Sequence, residues 1–357
     1  MDSNLDKLFD EIHDCPEGPT RISLLEEAIR LADLEQNEET AFEMRILLIQ
    51  DCIFFGQQLK ALTAFSWCIA RVREDKFDLD EIIWEYKWIC SVCSDFYEIS
   101  REKCGELLAD YKKCLSEAGY GLHSYWTARL NQSLDLNDME MADEAYKNIL
   151  SSKRDHMSDC SACVQDTLVH YQVSKNNYDE ALRLATPILS GKMKCAEVPH
   201  ITYSNLLVPA LMNGDTEAAA SYALKGYKLI SRNPEFTGNI GSYLIYWACT
   251  DIDKALKTYI KHLEWLNLPF TMAIRRKDFS IGAYILFKKL AKDRDTIKML
   301  LPKNFPLYRE DGEYKTADII AYHFDVATTV AKALDKRNSN DGCTKGFTRI
   351  VNFTEGL

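Results

Sequence analysis

The chain has 357 residues and a formal net charge of −11, from 43 Lys and Arg against 54 Asp and Glu. Apolar residues make up 46% and charged residues 27%, a balance that excludes disorder for most of the chain. The excess of acid argues against nucleic acid, whose phosphates need Lys and Arg to neutralise them, and the sparing use of Gly (15) and Pro (9) favours helices.

The N-terminus, MDSNLDKLFDEIHD, is acidic and amphipathic and lacks the basic start and apolar run of a signal peptide. The longest apolar stretches, such as Tyr243 to Cys249, are far shorter than a membrane helix requires. The expected compartment is therefore the cytoplasm, with no membrane partner. There the 12 cysteines read as reduced thiols or metal ligands rather than a disulfide framework.

In chain order, residues 1–36 predict capping helices. The second is PEGPTRISLLEEAIRLADL, with Pro19 and Thr20 near its start and Ile22, Leu25, Ala28, Ile29 and Ala32 on one face. Residues 37–268 follow as paired amphipathic segments joined by short polar turns near Gly56, Asn137, Asn176, Gly214 and Thr250. The last three gaps are 39, 38 and 36 residues, and the first, of 81, holds two units split by a turn near Ser94 to Ser100. One hairpin per ~36–40 residues is the period of a helical solenoid. Residues 269–337 predict two further helices, FSIGAYILFKKLAK and ADIIAYHFDVATTVAKALDKR, separated by LPKNFPLYREDGEY. Residues 338–357 carry turn formers and little pattern, and are expected to form a loosely ordered tail.

The hairpins resemble tetratricopeptide repeats. Tyr178 and Ala181 in NNYDEALRLATPIL occupy the aromatic and small-residue slots after a turn, and Tyr203, Leu206, Gly214 and Ala219 match in the next unit. Trp126, Ala142 and Tyr146 match in the unit before, and Ala255 and Tyr259 in a later one. The resemblance covers roughly residues 40–265, with units longer than the family standard. It implies an all-α superhelical array of antiparallel helix pairs with an N-terminal cap and a C-terminal helical extension.

The motif that carries chemistry is Asp159-Cys160-Ser-Ala-Cys163, followed after 31 residues by Cys195-Ala-Glu-Val-Pro-His200. C-x2-C…C-x4-H supplies the four S/N donors of a structural Zn²⁺ site. Register supports it: Cys160 and Cys163 sit where one inner helix begins, with Ser158 or Asp159 as N-cap, and Pro199 and His200 sit where the next begins. The previous helix stops at Leu189-Ser190-Gly191. Cys160, Cys163, Cys195 and His200 are therefore the expected zinc ligands, with His156 a competitor. Cys90-Ser-Val-Cys93 has no downstream partner pair and reads as core thiols, as do Cys15, Cys52, Cys68, Cys104, Cys114 and Cys249. The strings RDHMSDCSAC, CAEVPHITYSNLL and PLYREDGEY resemble a group of bacterial tetratricopeptide-repeat proteins that lack an assigned biochemical function.

A catalytic metal is disfavoured. Cys195-Ala-Glu197 with a CxxC imitates the zinc deaminases, but the CxxC comes first, no Pro precedes Cys160, and His200 would fill the position that a catalytic zinc keeps open. No phosphate loop, GxGxxG, HExxH or GxSxG occurs. Trp84, Trp88, Trp126, Tyr203, Tyr246 and Trp247 read mostly as core. By repeat register Asn131, Asp166, His170 and Ser204 point into a concave groove, where acidity favours a basic or neutral peptide. The resulting expectation is a non-enzymatic scaffold for a protein or peptide partner. The alternatives are a ligand-responsive regulator using the same groove and a metal-dependent hydrolase.

Overall fold

The computed structural model describes residues 4–269 and 271–357. Its helices run α1 (Asn4–Asp14), α2 (Pro19–Leu34), α3 (Glu38–Phe54), α4 (Gln58–Arg73), α5 (Ile83–Val92), α6 (Arg101–Glu117), α7 (His123–Asp135) and α8 (Met139–Ser151). They continue with α9 (Ser161–Ser174), α10 (Tyr178–Leu189), α11 (His200–Met212), α12 (Thr216–Ile230), α13 (Thr237–Thr250), α14 (Ile252–His262) and α15 (Ala273–Leu290). A short hairpin of β1 (Thr296–Lys298) and β2 (Glu313–Lys315) precedes α16 (Thr316–Asn338) and α17 (Gly342–Glu355). No described helix is long and apolar enough to cross a membrane.

The helices pack in sequential pairs, and a repeated local device makes the turns. Gln36, Asn137, Asn176 and Gly214 each take a left-handed backbone, with φ of 55°, 51°, 56° and 73°. An Asn or Asp follows each of them and starts the next helix. Asn37, Asp138 and Asp215 accept hydrogen bonds from the backbone N–H three residues on, satisfying donors the helix leaves open. Every turn expected within a pair, including the one between α5 and α6, falls between two helices. The face expected of α2, Ile22, Leu25, Ala28, Ile29 and Ala32, is its buried face.

Alternate helices form an inner row in which α5, α7, α9, α11, α13 and α15 are successive neighbours. Two large apolar cores lie along it, one from Leu5 to Met157 and one from Leu130 to Phe347, and Trp126 of α7 packs against both. α13 and α15 cross closely. A methyl group added at Gly241 would lie 2.2 Å from the Asp278 carbonyl oxygen, and one at Gly282 would lie 2.4 Å from that of Gly241. Only glycine permits this approach.

Between α15 and α16, where a loop is expected, β1 and β2 pair antiparallel with Ile297 opposite Tyr314, both buried. The loosely ordered tail is a correction: Gly342–Glu355 is helical. Asp335 of α16 accepts from the backbone N–H of Cys343 at 2.8 Å and of Thr344 at 3.0 Å, capping α17 from the last turn of the preceding helix. Phe347 fixes the helix to the core at 7% exposure. No local signal announces a cap supplied by another helix.

The C-terminal helices also tie back to the middle of the chain. Arg337 donates to the carbonyls of Ser94 (2.7 Å), Phe96 (3.0 Å) and Ile99 (3.3 Å) in the turn between α5 and α6. Asn338 donates to the Asp135 carbonyl at 3.2 Å and Asn340 to that of Leu136 at 2.8 Å.

Candidate metal centre and the cavity beside it

The N-terminus of α9 and the loop between α10 and α11 meet at three cysteines. Cys160 is itself the N-cap of α9, in place of the expected Ser158 or Asp159, and its Sγ accepts from the Cys163 N–H at 3.3 Å. The Cys163 Sγ lies 3.2 Å from the Cys160 Sγ and 3.3 Å from the Cys195 Sγ. Behind them Ala162, Ile188 and Val198 form a small apolar cluster against which Cys163 and Cys195 pack. The three sulfurs lie within 4.8 Å of one another, and this group could hold a metal ion.

The spacing fits that role. A tetrahedral ion with ~2.3 Å bonds to sulfur sets sulfurs roughly 3.8 Å apart, so a separation increase of about 0.5 Å admits the ion. Burial works against the Cys160 thiolate, but the backbone N–H groups of Cys163 and Ala162 and the neighbouring thiols outweigh it and hold that thiol below its ordinary range. Burial and then the flanking sulfurs push the Cys163 thiol up. The Cys160 thiolate is therefore favoured, and a cation relieves the repulsion that further thiolates would create.

His200 is not part of this group. It is the first residue of α11, and its ring stacks parallel to Phe236 at 5.9 Å, with Nδ1 buried and unpartnered. Burial lowers its pKa. The four-ligand expectation is thus corrected to three sulfurs, because Pro199 caps α11 and the side chain that follows packs towards Phe236. His156 packs edge-on against Tyr120, 4.6 Å between ring centres. Cys90 and Cys93 are fully buried, as are Cys52, Cys68 and Cys104, whereas Cys15 and Cys249 are only half-buried.

Cys160 and Cys163 also border a cavity of about 560 Å³ lined by residues from α3 to α15 and the turns between them. Its wall contains Asn131, Asp166 and His170. Ser204 is a correction: it is buried, bonding the His200 carbonyl at 3.2 Å and the Tyr243 hydroxyl at 3.3 Å. Asn205, one residue and about 100° further round the helix, lines the cavity in its place. Trp88, expected in the core, is another wall residue.

Sequence reasoning missed the charges in this wall. Asp95, Asp135, Asp159, Glu197 and Glu235 line it with Asp166, against Lys87 and Arg275. Lys87, 3% exposed, lies 2.8 Å from Asp159 and 3.3 Å above the Trp84 ring. Glu235 is paired with Arg275 and accepts from Gln58 at 3.2 Å. Burial and then Asp135 push the Asp95 carboxyl up to about 8, and burial lifts both Asp135 and Asp166 to about 6. The available signal was an acid placed on the apolar face of an inner helix, as in Asp166 between Val164 and Leu168.

No family model matches the chain, and no curated protein or solved structure matches it.

Proposed function

We propose that the chain is a tetratricopeptide-like superhelix that binds a peptide, or a segment of a protein partner, in this cavity without performing chemistry on it. The carrying observation is that Asn131 of α7, Asn205 of α11 and Asn239 of α13 all line one cavity. A carboxamide presents a donor and an acceptor together, the complement of a peptide bond, and α7, α11 and α13 present them at different points along an extended segment. A volume of about 560 Å³ lies within the range of ligand sites and accommodates a few residues of peptide.

In this reading the three cysteines hold Zn²⁺ and pin the loop before α11 to the start of α9; with His200 turned to Phe236 the group supplies no fourth protein ligand, so the metal-dependent hydrolase reading regains the open position it requires. Cysteines without disulfide partners suit a reducing compartment such as the cytoplasm. The test presents the whole protein to a pool of N-acetylated hexapeptides and measures retention. Asn131→Ala and Asn239→Ala are expected to reduce retention roughly tenfold while the melting temperature stays within a few degrees of wild type. Unchanged retention in both variants overturns the reading.

The regulator reading draws on a different observation. Gln58 and Glu235, both in the cavity wall, are bonded across the interior, so an occupant that takes over the Glu235 carboxylate loosens the closed form. Scattering with and without bound peptide distinguishes a scaffold, whose dimensions stay fixed, from a regulator, whose dimensions change.

A further inference from the structure

We infer that the cavity selects a cationic group at the end of a flexible chain, an ammonium or guanidinium, bound by Asp95, Asp135, Glu235 and Asp166. This rests on the peptide-binding reading and deepens it, since the bound segment must then carry a Lys or Arg side chain.

The charge of the wall is the first ground. Its two basic groups are already committed, Lys87 to Asp159 and Arg275 to Glu235. The second ground is independent of the count. Glu235, whose side chain is 10% exposed, satisfies only one of its oxygens, and Oε2 is buried with no hydrogen-bond partner. A buried carboxylate oxygen without a donor is costly, and an N–H donor carrying positive charge removes that cost.

Asp166 adds a similar demand. At 8% exposure it has a single donor, the Thr202 hydroxyl. Among the described residues Asp95 accepts no side-chain hydrogen bond. Burial raises the carboxyl pKa of all four acids, so each carries an electrostatic penalty that a neighbouring cation reduces.

The arrangement favours an organic cation over a metal ion. Among the described residues the three cysteines are the one group of His, Cys, Asp or Glu whose ligand atoms converge within 4.8 Å. The carboxylates instead face the space from α7, α9, the turn after α5 and the turn before α13. A guanidinium with five diverging donors, or an ammonium with three, meets acceptors spread in this way. Trp88 lies in the same wall, and an aromatic ring attracts a cation placed over its face.

The experiment uses the full-length protein and four pools of N-acetylated, C-amidated hexapeptides, randomised at the flanks with Arg, Lys, citrulline or norleucine at a central position. Spermidine is titrated separately by calorimetry. The expected result is retention of the Arg and Lys pools at least about tenfold above the citrulline and norleucine pools. Asp95→Asn and Asp166→Asn should each remove most of that preference, with melting temperatures no lower than wild type. Equal retention of all four pools overturns the inference and leaves peptide binding standing. Spermidine binding that both variants weaken, without retention of any pool, keeps the cation site and overturns the peptide source. No binding of peptides or spermidine at millimolar concentration overturns both.

Discussion

The Gln58 side-chain amide donates to the Glu235 carboxylate at 3.2 Å, joining residues 177 positions apart. In a linear array each repeat touches only its neighbours, so this bond, together with those of Arg337, marks a chain that closes on itself.

Removing Arg337 should open that closure. Arg337→Ala loses three hydrogen bonds from a charged donor to the turn between α5 and α6, and is expected to cost about 3 kcal/mol in denaturant unfolding. Scattering should show a larger radius of gyration. Unchanged stability and dimensions would mean that the packing of α16 on α15 and the bonds of Asn338 hold it in place without Arg337.

The metal centre predicts a split between residues. Protein purified without an affinity-metal step should contain roughly one zinc per chain, as a thiolate site of this kind binds. Cys160→Ser, Cys163→Ser and Cys195→Ser should each lose the zinc and lower the melting temperature by on the order of 10 °C. His200→Ala should keep it, because that ring stacks on Phe236. Zinc lost from His200→Ala would restore the four-ligand site.

Asp166 predicts a pH dependence. Its carboxyl is raised from an ordinary value of 3.8 to about 6 in the folded state, so between those values the folded chain holds more protons than the unfolded one. Stability therefore falls as pH rises through that window, by roughly 3 kcal/mol from this group, and the loss is complete above it. Asp166→Asn should be more stable than wild type at pH 7 and show a flatter profile from pH 4 to 6. A profile of unchanged slope would assign the dependence to Asp95 and Asp135.

The crossing of α13 and α15 predicts sensitivity to a single methyl group. Gly241→Ala places Cβ against the Asp278 carbonyl, and its cost should reach or exceed about 1–3 kcal/mol, although Ala is the better helix former. At Gly105, where an added Cβ meets nothing within 4 Å, Gly105→Ala should stabilise by a few tenths of a kcal/mol to about 1 kcal/mol. Urea denaturation of the pair separates packing from propensity.

Much of this molecule was legible before folding. Hairpin turns are local: a left-handed Asn or Gly followed by a capping Asn or Asp is written in adjacent residues, and so is the buried stripe of α2. The cysteine spacing was legible for the same reason, since Cys160 and Cys163 share one helical turn and the loop holding Cys195 must return to the start of the next inner helix. His200 was misplaced because its direction depends on Phe236, which belongs to a later unit. Ser204 was misplaced by a single residue, since repeat register carries an error of about one position and each position turns a side chain by about 100°.

What the sequence alone determined is what neighbours in the chain decide: helix periods, turns, caps and the three sulfurs at one edge. Only the tertiary structure decided that α17 is ordered by Asp335, that Arg337 closes the array, and that Asp95, Asp135, Asp166 and Glu235 share one cavity. The closing bonds of Arg337 and the four acids join residues tens to hundreds of positions apart, and their charges and hydrogen bonds acquire their meaning only when packing removes water from between them.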